Sequence, residues 1–262
     1  MSVESSRTCG VELIIVSMPS QTNATHLPAG QTLLSQTLLI DADDTLWENN
    51  IYFEQAISSF ISYLDHRVHT PEEVRERLNA CERRTIAAQG YGLKSFRKSL
   101  IECFEQLADG PVSAERHERI VSFVQAIAEA EIDLRAGVAE TLPELALRHR
   151  CILVTKGDDV EQRDKLERSG LVQHFAAVEV LAEKNEAAYR RVAVDHGCEP
   201  ERTWMIGNSP KSDINPALAA GLHAVFLFHH STWALEHEEL SAAPEGQRLL
   251  ELEGFAELTR YF

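Results

Sequence analysis

Five short apolar runs restrict what this chain can fold into more than any other feature. They are TLLID (37–41), CILVT (151–155), AAVEV (176–180), TWMIG (203–207) and HAVFLF (223–228). Short apolar runs without strict alternation read as strands buried on both faces. Helical patterns that stop at glycine separate the last four: DVEQRDKLERSG ends at Gly170, and NEAAYRRVAVDHG and SDINPALAAG end the same way. Glycine suits a helix end because it enters the left-handed region without a Cβ penalty. Strand–helix alternation of this kind predicts an α/β fold, a Rossmann-like parallel sheet with right-handed crossovers and helices on both faces.

One interval breaks the alternation. About 110 residues, 42 to 150, lie between the first two strands, and they read as helix. Phe53, Ile57, Phe60, Ile61 and Leu64 fall at i, i+4, i+7, i+8 and i+11, which makes one apolar face. Thr70-Pro71-Glu72-Glu73 combines an N-cap, a proline at the first helical position and a capping-box glutamate. SFRKSLIECFEQL (95–107) and SAERHERIVSFVQAIAEAE (113–131) supply two further helices. The pattern predicts an all-helical domain inserted after the first strand, above the carboxyl ends of the sheet where ligands bind in such folds. Residues 1 to 35, rich in Ser, Thr, Gln and Asn, read as a poorly ordered leader with a short strand at 12–16 and an alternative start at Met18.

Charge narrows the function classes. Lys and Arg number 25 against 41 Asp and Glu, a formal charge of −16. Such a surface repels nucleic acid and anionic membranes, so neither is expected as a partner. Five scattered cysteines without a CxxC pair point to a reducing, cytoplasmic setting without disulfides or structural zinc. No apolar run reaches the length of a membrane helix.

The strand ends carry the chemistry. Asp41 and Asp43 stand two residues apart where the first strand stops. Two carboxylates there suit Mg2+, a hard cation that takes a few carboxylates and keeps waters. The second strand ends in Thr155-Lys156-Gly157, a hydroxyl and backbone N–H groups placed to meet a phosphate oxygen. Lys184 follows the third strand, and GNSPKSD after the fourth brings Asn208 and Asp213. Parallel strands end at one sheet edge, so topology delivers all four loops to one site. Singly each signal is weak, since an Asp-rich turn is commonly just solvated and a lone lysine is commonly surface charge. His229-His230 and His237 lack companion acids at metal-binding spacing.

With these residues in order, residues 37 to 260 resemble the haloacid dehalogenase-like hydrolase superfamily. DADDT matches its first motif and LVTKG its second, through Thr155; Lys184 in EKNEAAY matches the third and IGNSPKSD the fourth. There are two departures: Asn185 stands where a proline often follows the lysine, and Asn208 stands where many members carry an acid. The resemblance implies a helical cap at 49–136 on a core formed by 36–48 and 137–262, with Trp47 and Glu48 in the hinge. It implies Asp41 as nucleophile and Asp43 as acid/base. Thr155, Lys156, Gly157 and Lys184 would sit on phosphate, and Asp41, Asp43, Asn208 and Asp213 on Mg2+. The expected activity is a phosphatase acting on a small phosphorylated metabolite, as monomer or homodimer. A phosphomutase or other hydrolase of the same superfamily, or a catalytically weak phosphate-binding regulator suggested by Asn208, is the alternative. The GYG turn at 90–92 is a loop between cap helices with a potential substrate-facing role.

Overall fold

The computed structural model describes residues 32–64, 68–108 and 113–262, so the strand expected at 12–16 lies outside the described residues. Six strands form the sheet: β1 (Thr37–Ile40), β2 (Arg150–Lys156), β3 (Ala177–Leu181), β4 (Thr203–Gly207), β5 (His223–Leu227) and β6 (Leu249–Leu252). Their order is β3-β2-β1-β4-β5-β6 and every pairing is parallel. β1 therefore sits centrally, with Ile40 level with Leu153 on one side and Ile206 on the other. The chain reverses direction across the sheet at β1, so the crevice beyond its carboxyl end opens between the β2 and β4 loops.

Alternate residues of these strands face opposite layers, as the pleat requires. Leu38, Ile40, Leu153 and Ile206 pack with α5 (Val138–Arg148), α6 (Asp159–Ser169) and the carboxyl-terminal Phe255, Leu258 and Phe262. Leu39, Ile152, Val154 and Met205 face α7 (Glu186–Asp195) and α8 (Asn215–Ala219) through Tyr189, Val192 and Ala217. The sheet is thus covered on both faces, as the apolar runs require.

Four helices follow β1: α1 (Asn50–Leu64), α2 (Pro71–Gln89), α3 (Leu93–Leu107) and α4 (Ala114–Glu129). They close their own hydrophobic core, with Phe60, Leu78, Leu100, Cys103 and Ile120 all fully buried. Phe53 meets Phe96 edge-on at 4.9 Å between ring centroids. Thr70 and Glu73 form the reciprocal capping box at the start of α2. The chain passes between this unit and the sheet twice, and the two passages pair. Glu48 N–H donates to Asp133 O (2.9 Å), Arg135 N–H donates to Leu46 O (2.9 Å), and Trp47 bridges Leu134 antiparallel. Among the described residues, no helix is long and apolar enough to cross a membrane.

β6 was not legible as a strand. Its four residues, LLEL, follow a long irregular segment, and its pairing partner β5 shields only one of its edges.

Candidate active site

Asp41 leaves β1 with its N–H still bonded to Ile206 O at 2.9 Å, which fixes the backbone in sheet register. The next residues tighten into a turn, with Thr45 and Leu46 N–H groups both donating to Ala42 O. Asp44 completes it in the left-handed region (φ 61°), a conformation Asp tolerates better than most residues. Its Oδ1 accepts the N–H groups of Asn49 and Asn50 and so caps α1.

Lys184 is the centre of the arrangement. Its Nζ donates to Asp41 Oδ1 at 2.5 Å and to Asp213 Oδ1 at 2.7 Å, with the ammonium almost wholly out of water. Burial works against that ammonium, but Asp213 and Asp41 outweigh it and hold it above the ordinary lysine range. Thr45 Oγ1 lies 3.0 Å from Asp41 Oδ2 and 3.2 Å from Asn208 Oδ1, so the amide oxygen and the carboxylate converge on one hydroxyl. Asp213 Oδ2 accepts Ser209 N–H at 3.0 Å. Gly207 is what lets Asp213 sit there, because a Cβ at 207 would fall 2.3 Å from Asp213 Oδ2.

This set holds two buried carboxylates against one ammonium. Burial and the Asp213 charge push Asp41 up to about 7, with Lys184 opposing. One negative charge in a buried site is left uncompensated, and the donors facing it are hard oxygens. Asp41, Asp213 and Asn208 fit a magnesium-sized cation on both counts, charge and ligand chemistry.

Asp43 stands apart from that group. Its carboxylate takes two bonds from Lys165 Nζ (2.9 and 3.0 Å), one from Gln162 Nε2 (2.9 Å) and one from Trp47 Nε1 (2.8 Å). Burial would raise its pKa, but Lys165, Gln162 and Trp47 together hold it below the usual carboxylate value. Asp43, expected with Asp41 on the metal, here has its carboxylate oxygens bonded to α6 and to Trp47. Gln162 also accepts from the buried Thr155 hydroxyl (3.3 Å), linking the first and second motifs.

Two further residues expected at the phosphate line the cavity and have partners within the protein. Lys156 donates to Glu236 Oε1 (2.6 Å) and Ser212 Oγ (2.8 Å) and lies over the Tyr91 ring, so its charge is matched by Glu236. Gly157 gives its N–H to Leu181 O (3.2 Å).

Several residues around the site gave no signal. Lys165 and Gln162 share one face of α6 at i and i+3, visible only as polar residues in a polar helix. Glu236 ends a single 3-10 turn, Ala234–Glu236, that carries no sequence pattern, yet it is buried and also accepts from Ser209 and Ser212. The histidine reading is revised as well. The fold brings Asp44 and Glu48 to His229 from about 180 residues away, with ligand atoms within 4.8 Å of one another. His229 Nε2 bonds Glu48 Oε2 at 2.9 Å, and Arg135 donates to the carbonyls of Asp44 and Phe228. These contacts tie the interdomain passage to the sheet edge.

A cavity of about 440 Å³ opens above these residues, walled below by Asp41, Thr155, Lys184 and Asp213 and above by α1–α4. The turn between α2 and α3 reaches down to it: Tyr91 O–H donates to Glu183 (2.8 Å) and Leu93 N–H to Glu161 (3.0 Å). The GYG turn thus docks on the sheet-bearing unit at the cavity rim.

Comparison with known proteins agrees with the fold. A solved haloacid dehalogenase-like family hydrolase from Xanthomonas campestris is 30% identical, with a TM-score of 0.71, covering 86% of this chain and 92% of that one. A phosphoserine phosphatase of Thermus thermophilus is 31% identical over 98 residues, 36% of this chain and 38% of that protein. An N-acylneuraminate-9-phosphatase of Rattus norvegicus is 31% identical over 103 residues, 37% of this chain and 42% of that protein. The matched stretch therefore spans about two fifths of either curated relative. The model of the haloacid dehalogenase-like hydrolases matches residues 36–221, and the chain belongs to that family.

Proposed function

We propose that the protein is a Mg2+-dependent phosphatase that hydrolyses a small phosphate monoester through an aspartyl-phosphate. The observation that carries this reading is the buried Lys184 bridging Asp41 and Asp213, with Asn208 and Thr45 completing a compact set of hard oxygens. The two partly matching curated relatives are named as phosphatases, which favours attack on phosphorus with an alcohol leaving over displacement of a halide from carbon.

In this reading Asp41 attacks phosphorus, forming a carboxyl O–P bond as the ester P–O bond breaks. Asp43 gives a proton to the departing alcohol, then takes one from the water that cleaves the acyl phosphate. Lys184 and the Thr155 hydroxyl hold the phosphoryl oxygens. A magnesium ion held by Asp41, Asn208 and Asp213 would supply the positive charge that lets two anions approach. The helices α1–α4, residues 49–136 with their flanks, act as a cap whose closure excludes water. For Asp43 to reach the leaving group it must exchange Lys165 for substrate. Lys165 also binds Asn49 Oδ1 at 2.8 Å, so movement of the passage after Trp47 and release of Asp43 are coupled.

The test is turnover of p-nitrophenyl phosphate with and without divalent metal. Turnover requires added Mg2+ and stops in excess EDTA; undiminished rates in EDTA overturn the proposal. Asp43→Asn keeps the nucleophile and removes the proton donor. Its rate on an alkyl phosphate falls by about 10²–10⁴, and on the activated aryl ester by less, because p-nitrophenolate barely needs protonation. Equal losses across leaving groups of differing pKa would remove Asp43 from the acid/base role.

A further inference from the structure

The cap side of the cavity contains a carboxylate oxygen that has no hydrogen-bond partner among the described residues. Glu82, on α2, is 5% exposed, and its Oε2 is buried without a hydrogen-bond partner. It lines the same cavity as Asp41 and Lys184, among Phe53, Ile57, Ile86 and Phe96. Buried polar groups nearly always find a partner, and a buried carboxyl without one costs stability. The nearby groups that could serve are spoken for. Arg75 is held by both carboxylate oxygens of Glu54 (2.8 and 2.9 Å), Arg83 is exposed, and Ser95 and Ser99 donate to the carbonyls of Gly90 and Ser95. Burial pushes the Glu82 carboxyl up to about 7, and the Arg75 and Arg83 charges offset that only in part.

We infer that Glu82 is a specificity residue that receives a protonated amine on the substrate, at the end away from the phosphoryl group. Three features select an amine. The missing partner is a donor; a cation supplies the charge as well as the hydrogen bond; and the Phe53 and Phe96 rings line the same cavity, where the face of an aromatic ring attracts an ammonium. Eight residues of helix separate Glu82 from Gly90, the start of the turn docked at the cavity rim, which is about 12 Å along the axis. The substrate class is a phosphate monoester with its amine several bonds from phosphorus. The inference rests on the phosphatase reading only for the location of the phosphoryl group.

The test compares aminoalkyl phosphates of graded chain length with hydroxyalkyl and n-alkyl phosphates of matching length, at saturating Mg2+. At the best length the aminoalkyl ester has a kcat/KM about tenfold or more above the n-alkyl ester, the size of one charge-assisted hydrogen bond. Glu82→Gln, nearly isosteric, brings that ratio close to one, and Glu82→Met inverts it in favour of the alkyl ester. Titration calorimetry with the matching aminoalkyl and alkyl phosphonates reads the same preference without turnover. Preference for the hydroxyalkyl series, or an amine preference that survives in both variants, overturns the inference. Turnover of p-nitrophenyl phosphate with no amine preference in rate or binding sinks this inference alone. Absence of turnover on every ester, with the phosphonate preference intact and lost in Glu82→Gln, sinks the phosphatase reading and leaves Glu82 as the amine site.

Discussion

Asp41→Asn abolishes turnover, by at least about 10⁴-fold, and traps no phosphate on the protein in a single-turnover mix with labelled ester. The amide preserves the shape of the side chain and its contact with Thr45, but its oxygen is a poor nucleophile and cannot form the acyl phosphate. Folding should survive the change. Asp41 sits beside Asp213 in a buried site with a single ammonium between them, so neutralising one acid relieves a like-charge contact. Thermal unfolding should therefore remain at or above the wild-type midpoint, which separates loss of chemistry from loss of structure. A variant that retains turnover within tenfold would show that another group attacks phosphorus. Asp43 differs in kind: its removal leaves the attacking carboxylate in place and costs only proton transfer, as the leaving-group series reads.

The sheet was legible because burial on both faces leaves short apolar runs that no other element imitates at that spacing. TWMIG is the strand Thr203–Gly207 to the residue, and CILVT lies within Arg150–Lys156. The inserted helices were legible for a similar reason, since Phe53 to Leu64 carry one apolar face and Thr70 announces the start of α2. Topology then placed Asp41, Thr155, Lys184 and Asp213 at one edge without any long-range information. What the sequence lacked was the direction of each side chain. Asp43 is two residues from Asp41, but the turn aims it at Lys165 on α6, and only tertiary packing decides that. Lys156 follows Thr155 directly, yet it is captured by Glu236 from a segment with no periodicity at all. Glu82 reads in sequence as one more charge in CERRT, because helical position says which face it occupies and not whether a partner waits there.

Lys184→Met has the other large expected effect, and it reads stability more than catalysis. The lysine is the ammonium that balances Asp41 and Asp213, with side-chain exposures of 2%, 9% and 1% for the three groups. Removing one partner from a buried ion pair costs about 3–5 kcal/mol, because the remaining charge stays buried and unmatched. For a protein of this size that lowers the unfolding midpoint by roughly 6–20 °C. The pH dependence has a definite sign. Without Lys184 the folded-state pKa of Asp41, already about 7, moves further above its unfolded value near 3.9. The folded form then binds protons that the unfolded form releases, so stability falls as pH rises through this window. The deficit relative to wild type is largest at neutral pH and narrows as pH is lowered toward about 4. Adding Asn at position 41 in the same chain removes one of the two stranded charges, and the double variant is less destabilised than the sum of the single effects. Mg2+ raises the midpoint of Lys184→Met more than that of wild type, since a ligand that binds only the folded state stabilises it by mass action. An unfolding midpoint indistinguishable from wild type at neutral pH, without metal, would mean that Asp41 and Asp213 are not charged together in the folded protein, and the charge argument for a metal at this site would fall with it.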